Sequence, residues 1–282
     1  MAYTKLIPRH TKDAHVEEIS RVSSHYLLSI PAGKANQYRL AQLDDYAKLS
    51  REHFPLWFPA SLGLTARVSS NSIPGTWGFG LWNDPFGLSL GFGGSPFRLP
   101  ALPNAAWFFG ASEESYLSFK SPSSLSAPQT SGRSSVREVA ANGFLAQSFR
   151  APKFHPSLIL AGLALPFSRK MTRRILGNMI DEDANNLRSN EQLLIPTEWH
   201  KYKIDWREKG VAFEVDEAVV FKSAVSPHAP LGVVIWIDNQ YAAFTPEGKI
   251  GFGVLENPEP AWLEVKDIQI TLAANSGRSN SP

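Results

Sequence analysis

The chain has 282 residues, 43% of them apolar and 19% charged, with a net charge of +2. This composition excludes a disordered chain, allows a large core without covalent staples, and carries too little positive charge for a nucleic-acid footprint. There is no cysteine, which excludes disulfides and thiolate metal sites; with no signal-type apolar run among the first residues, the cytoplasm is the expected compartment.

Taken in order, residues 1–24 are polar and mixed in charge, an N-terminal extension expected to be loose or edge-lying. Residues 25–30 and 38–43 read as strands around a turn at Gly33 and Asn36, and residues 62–68 alternate apolar and polar as a further strand. Between them, 44–54 fits helix or loop. On a strand over 75–84, Trp77, Phe79, Leu81 and Asn83 point one way and Gly78, Gly80, Trp82 and Asp84 the other, which gives a packed face and an open face. Glycine inside a strand marks a close approach by a ligand or by another backbone.

Residues 86–103 form a long Gly- and Pro-rich loop; its GFGG run has neither the lysine nor the strand-to-helix setting of a phosphate cradle. Residues 105–109, 115–119 and 144–149 are strand-like, and 121–135 is a Ser/Pro-rich connection. The pattern breaks over 152–190. Phe167, Met171, Ile175 and Met179 recur every four residues, with Arg169, Lys170, Arg173 and Arg174 largely on other faces, so a helical insert is expected near 157–180. It could serve as a lid. A helix packed on the sandwich edge with its basic face in water is favoured over membrane contact through 167–180. The longest apolar segment, 156–167, is too short to span a bilayer.

Residues 199–241 alternate twice, turn at 208–210 and at 216–217, and then run apolar from Leu231 to Ile237. The first two parts read as hairpin strands and the last as a strand covered on both faces. Strands over 249–255 and 262–270 follow a turn at 245–248, and 273–282 is a disordered tail. The chain is therefore expected to be all-β, a single sandwich domain over 25–272 with one helical insert.

The run Trp199-His200-x-Tyr202-x-Ile204-x-Trp206, the turn at Lys209-Gly210 and Phe213-Glu214-Val215-Asp216 resemble paired strands of the concanavalin A-like lectin/glucanase superfamily, glycoside hydrolase family 16 above all. Residues 262–268 are similar to that family's last strand, and 75–84 to one of its cleft strands. The resemblance implies a jelly-roll of two curved antiparallel sheets with a concave binding face. The family's E-x-D-x-E or E-x-D-x-x-E motif is missing. In its expected place stand Trp107-Phe108-Phe109 and, further on, Glu113 and Glu114, which as neighbours on a strand would face opposite ways. The usual retaining mechanism is therefore not expected.

Two aromatic strands end in an acid and an amide, Trp82-Asn83-Asp84 and Trp236-Ile237-Asp238-Asn239. If these strands are neighbours, two indoles and two carboxylates share one groove, with Asp84 and Asp238 as candidate general acid and base. Trp77, Trp82, Asn83, Trp236, Asn239, Gln240 and Tyr241 are the candidate binding residues, since aromatic faces stack on sugar or hydrocarbon. The competing reading makes Asp84 a turn starter before Pro85, and Asp238 and Asn239 the cap of a strand. The seven histidines show no metal spacing, and no G-x-S-x-G elbow occurs. Asp181-Glu182-Asp183 lacks the rest of a calcium loop and reads as a helix end or an exposed acid run. No cofactor or metal is expected. Two functions fit: a glycan-directed sandwich that binds or acts on a glycan or glycoside, or a cyclase or isomerase for an apolar isoprenoid- or polyketide-like molecule. A partner-binding module without catalysis needs only the fold.

Overall fold

A computed structural model describes residues 5–85, 101–118, 143–152, 179–187, 194–244 and 250–272. In chain order its strands are β1 (Ile7–His10), β2 (His15–Ser20), β3 (His25–Ile30), β4 (Leu40–Asp44), β5 (Ala60–Val68), β6 (Thr76–Trp82), β7 (Ala105–Ala111), β8 (Tyr116–Leu117) and β9 (Gly143–Arg150). They continue with β10 (Asp181–Asn186), β11 (His200–Arg207), β12 (Gly210–Val215), β13 (Ala218–Ser223), β14 (Gly232–Asp238), β15 (Gln240–Phe244), β16 (Ile250–Val254) and β17 (Ala261–Leu272). One 3-10 turn, Arg51–His53, lies in the stretch that fitted helix or loop.

The strands form a sandwich of two seven-stranded antiparallel sheets. The first runs β1-β4-β14-β6-β7-β9-β10 and the second β13-β12-β11-β5-β17-β3-β2; a small third sheet joins β16, β15 and β8. This is the all-β architecture expected from the alternation. Residues 7–20, expected to be loose or edge-lying, supply an edge strand to each large sheet. A correction falls on Asp181–Asn186. It is neither a helix end nor a loose acid run, because it pairs with β9 along its whole length, with Glu182 and Ala184 buried. Most of the expected helical insert, residues 153–178, lies outside the described residues, as do the 86–100 loop and the 273–282 tail.

The two sheets differ in a way that positions the site. Along β5 burial alternates residue by residue, the mark of a strand with one wet face. Strands β6 and β14 are buried at every position. Their inward residues, Trp77, Phe79, Leu81, Val233, Ile235 and Ile237, join Phe108, Tyr202, Phe213 and Trp206 in the inter-sheet core. Their outward residues, Trp82, Val234 and Trp236, belong to a separate apolar cluster with Leu40, Tyr46, Trp107, Phe109 and Phe149. A fully buried Leu or Phe contributes about 1.5–3 kcal/mol. The first sheet is thus stabilised from both faces, which is why the 231–237 run is apolar without alternation.

Candidate functional site

The site is assembled by pairing between distant segments. Strands β14 and β6 are neighbours, with Asp238 opposite Thr76, Trp236 opposite Gly78 and Gly232 opposite Trp82. Beyond β6, β7 sets Phe109 opposite Gly78 and Trp107 opposite Gly80. The two glycines keep this surface low. A Cβ added at Gly78 would lie 2.9 Å from Trp236 Cη2, and one at Gly80 would lie 2.5 Å from Trp107 Cβ.

In the space they leave, Trp82 and Trp236 stack with centroids 5.8 Å apart and planes 9° from parallel. Trp107 sits 5.9 Å from Trp236 and 6.1 Å from Trp82, and Phe109 is 5.9 Å from Trp236. All three indoles are at most 6% exposed, and each N–H has an acceptor within the protein. Trp82 donates to the Tyr46 hydroxyl at 2.6 Å, Trp107 to Gln147 Oε1 at 3.1 Å and Trp236 to Thr76 Oγ1 at 3.0 Å. The polar edge of each indole is thus satisfied inside the protein, which leaves the ring faces as the apolar part of the cluster.

Asp238 ends that wall, with 4% exposure. Its Oδ1 accepts the Thr76 hydroxyl at 2.7 Å, the Thr76 amide at 3.2 Å and the Gln240 amide at 3.3 Å. Its Oδ2 takes only a long bond, 3.4 Å, from the half-buried Tyr38 hydroxyl. Burial pushes the carboxyl up to about 7, against the opposing pull of the Thr76, Gln240 and Tyr38 donors. Near neutral pH the group is poised between acid and base. With Oδ1 saturated, Oδ2 is the oxygen left to carry and release the proton.

The other end of the wall is held by a polar cluster. Gln42 Nε2 donates to Asp44 Oδ2 at 2.8 Å and to the Tyr46 hydroxyl at 3.2 Å, while Arg9 Nε pairs with Asp44 Oδ2 at 2.6 Å. The Arg9 guanidinium also lies 5.7 Å from the centre of the Tyr46 ring. Burial, then the charges of Asp44 and Asp84, hold the Tyr46 phenol well above its ordinary range.

Asp84 is 1% exposed, with φ of 50° in the left-handed region, and its carbonyl accepts Arg51 Nη2 at 2.5 Å. It follows Trp82, the last residue of β6, whereas Asp238 lies across from Thr76, the first. The two acids therefore flank opposite ends of the indole wall. Both nonetheless raise the Tyr38 phenol, after burial and with Asp238 the stronger, so they share one electrostatic field.

The remaining candidates divide. Asn83 is a staple, its amide donating to the Leu102 carbonyl and its Oδ1 accepting the Asn104 amide. Asn239 is another, fully buried and bonded to Arg39, Gln37 and Leu255. Gln240 reaches Asp238 through its backbone, and Tyr241 lies against Gly253 in the small sheet. Trp77 lies on the opposite face from Trp82 and Trp236, stacked on Phe144 at 4.8 Å. Glu113 and Glu114 are exposed in the turn after β7, off the aromatic wall.

The sequence reading did not name Thr76, Tyr38, Tyr46, Gln42 or Trp107 as site residues. Thr76 was within reach of it, because period-two alternation puts Thr76 and Trp82 on one face. Tyr38 and Tyr46 flank β4, and only the pairing of β4 with β14 brings them to the wall. Among the described residues no group of His, Asp or Glu is arranged to hold a metal ion, and no helix is long and apolar enough to cross a membrane.

No family model matches the chain, and no curated protein does. Among solved structures it is similar to a family 16 endo-glucanase from Bacteroides ovatus, with 10% identity, 96% of each chain covered and a TM-score of 0.46. It is also similar to the catalytic domain of an endo-1,3-beta-glucanase from Thermotoga petrophila, at 12% identity over 92% of this chain and 79% of that one, TM-score 0.41. An alginate lyase in complex with dimannuronate matches at 10% identity over 89% and 75%, TM-score 0.41.

Proposed function

We propose that the outer face of the first sheet is a glycan-directed site that binds or acts on a glycan or glycoside, with Asp238 as its acid/base group. One observation carries this reading: a buried carboxyl with a proton in play near pH 7 stands beside a stacked tryptophan wall. Indole faces suit the C–H faces of sugar rings, and a protonated Asp238 suits a hydroxyl or glycosidic oxygen held against Oδ2. Asp84 flanks the opposite end of the wall and Glu113 and Glu114 stand in the turn after β7, so no described carboxylate is assigned as a partner of Asp238 and a retaining two-carboxylate mechanism is not proposed.

A second reading has its own observation. The N–H groups of Trp82, Trp107 and Trp236 are all satisfied inside the protein, leaving hydrocarbon-like faces that also suit an apolar substrate undergoing proton-initiated cyclisation or isomerisation. Thermal denaturation with soluble β-glucans and alginate oligosaccharides, against a panel of terpenoids and polyketides, separates the two. A ligand that binds the native state raises Tm, and Asp238→Asn should abolish turnover of that ligand with the fold intact. A rise with apolar compounds alone transfers the site to the second reading. No rise with either class removes both.

A further inference from the structure

A different cavity, of about 590 Å³, opens at the end of the sandwich where β6, β7 and β9 turn. It lies against the inner face of the first sheet, away from the Asp238 wall. Trp77 and Phe144 form part of its lining, and Glu113, Glu114 and Glu256 stand around it as exposed carboxylates.

Trp77 is 6% exposed, and among the described residues its indole N–H has no acceptor, whereas the buried indoles of Trp82, Trp107, Trp206 and Trp236 all have one. A buried Trp ordinarily finds a partner for its N–H. Gly110, directly across from Trp77 in the β6/β7 pair, also lines the cavity, and a Cβ added there would fall 2.2 Å from Trp77 Nε1. Any other residue would crowd the N–H edge that glycine leaves clear.

Charge narrows the occupant. Three carboxylates line the cavity, and among its described lining residues there is no Lys, Arg or His. The carboxylates are not gathered closely enough to hold a metal ion. Phe144, Pro74, Pro196 and Leu255 supply apolar walls, and the volume suits a small organic molecule.

We propose that this cavity binds a small protonated amine carrying an oxygen acceptor, the chemistry of an amino sugar. The ammonium donates to the glutamates, the oxygen accepts the Trp77 N–H, and the apolar walls cover the ring. The proposal is independent of Asp238.

The test titrates the full chain with glucosamine at about pH 6, where an amine is protonated, alongside glucose, N-acetylglucosamine and calcium chloride, by calorimetry and tryptophan fluorescence. Glucosamine should bind at least roughly tenfold more tightly than either neutral sugar, as expected for charge-assisted hydrogen bonds. Trp77→Phe keeps a ring on Phe144 and removes only the donor, and it should weaken glucosamine several-fold. Should that variant fail to fold, Glu256→Gln and Glu113→Gln, both at exposed positions, carry the test and should each weaken it. Equal binding of glucosamine and glucose, no glucosamine binding, calcium binding alone, or glutamine variants that bind unchanged would overturn the proposal.

Discussion

Thr76 and Asp238 meet across the β6/β14 pair: the threonine hydroxyl donates to Asp238 Oδ1 at 2.7 Å while accepting the Trp236 indole N–H at 3.0 Å. A single hydroxyl therefore ties the aromatic wall to the acid.

Asp238 makes stability depend on pH. Its carboxyl rises from 3.8 to about 7 on folding, so the folded state holds the proton more tightly and is favoured at low pH. That contribution is complete below about 3.8 and is lost as pH rises through about 7, with a limiting slope of about 1.4 kcal/mol per pH unit. Asp238→Asn should flatten this part of the curve. Urea denaturation between about pH 4 and 8 measures it, and an unchanged slope would remove Asp238 as its source.

Thr76→Val should cost about 1–3 kcal/mol, because it leaves the Trp236 N–H without a partner in a buried site. It also removes a donor that holds the Asp238 carboxyl down, so that carboxyl should titrate still higher. Difference infrared titration against Asp238→Asn reads the shift, and a downward move would show that the Thr76 hydroxyl is not a donor that holds the carboxyl down.

Gly80→Ala should destabilise by about 1–3 kcal/mol and loosen the indole cluster, since its new methyl would sit 2.4 Å from the Ala106 carbonyl oxygen. Near-ultraviolet circular dichroism and a denaturant titration report both effects. A native spectrum with unchanged stability would show that the wall does not depend on that glycine.

Arg9 and Asp44 form a buried ion pair at 2.6 Å, with side chains 7% and 0% exposed. Removing one partner leaves a charge stranded, so Arg9→Met or Asp44→Asn alone should cost about 3–5 kcal/mol, and the double replacement clearly less than the sum of the two. A double-mutant cycle measures the coupling, and strict additivity would show that the pair is not coupled.

Much of the fold was legible because alternation is a local property. The 60–68 and 200–215 strands carry their burial pattern in their own residues, and so does the 231–237 run, whose unbroken apolarity marks a strand covered twice. Asp181–Asn186 was misread for the opposite reason. Its acids and amides carry no strand signature, and it becomes a strand only because β9 offers an edge that it matches residue for residue. The same holds for the polar edge strands near the N-terminus, which the sheets impose and the sequence does not announce.

The site divides along the same line. Alternation alone put Trp82 with Gly78 and Gly80 on one face of a strand, and Trp236 with Asp238 on one face of another, because side chains two residues apart must point the same way. Which strands became neighbours was decided only by tertiary pairing, and that pairing stacked the two indoles, set Thr76 against Asp238 and carried Tyr38 and Tyr46 to the wall. The chemistry of Asp238 belongs to this second class. A carboxyl's proton affinity depends on the solvent and donors around it, and for Asp238 the donors come from β6, the start of β15 and the segment before β4, with Thr76 and Tyr38 brought to it only on folding.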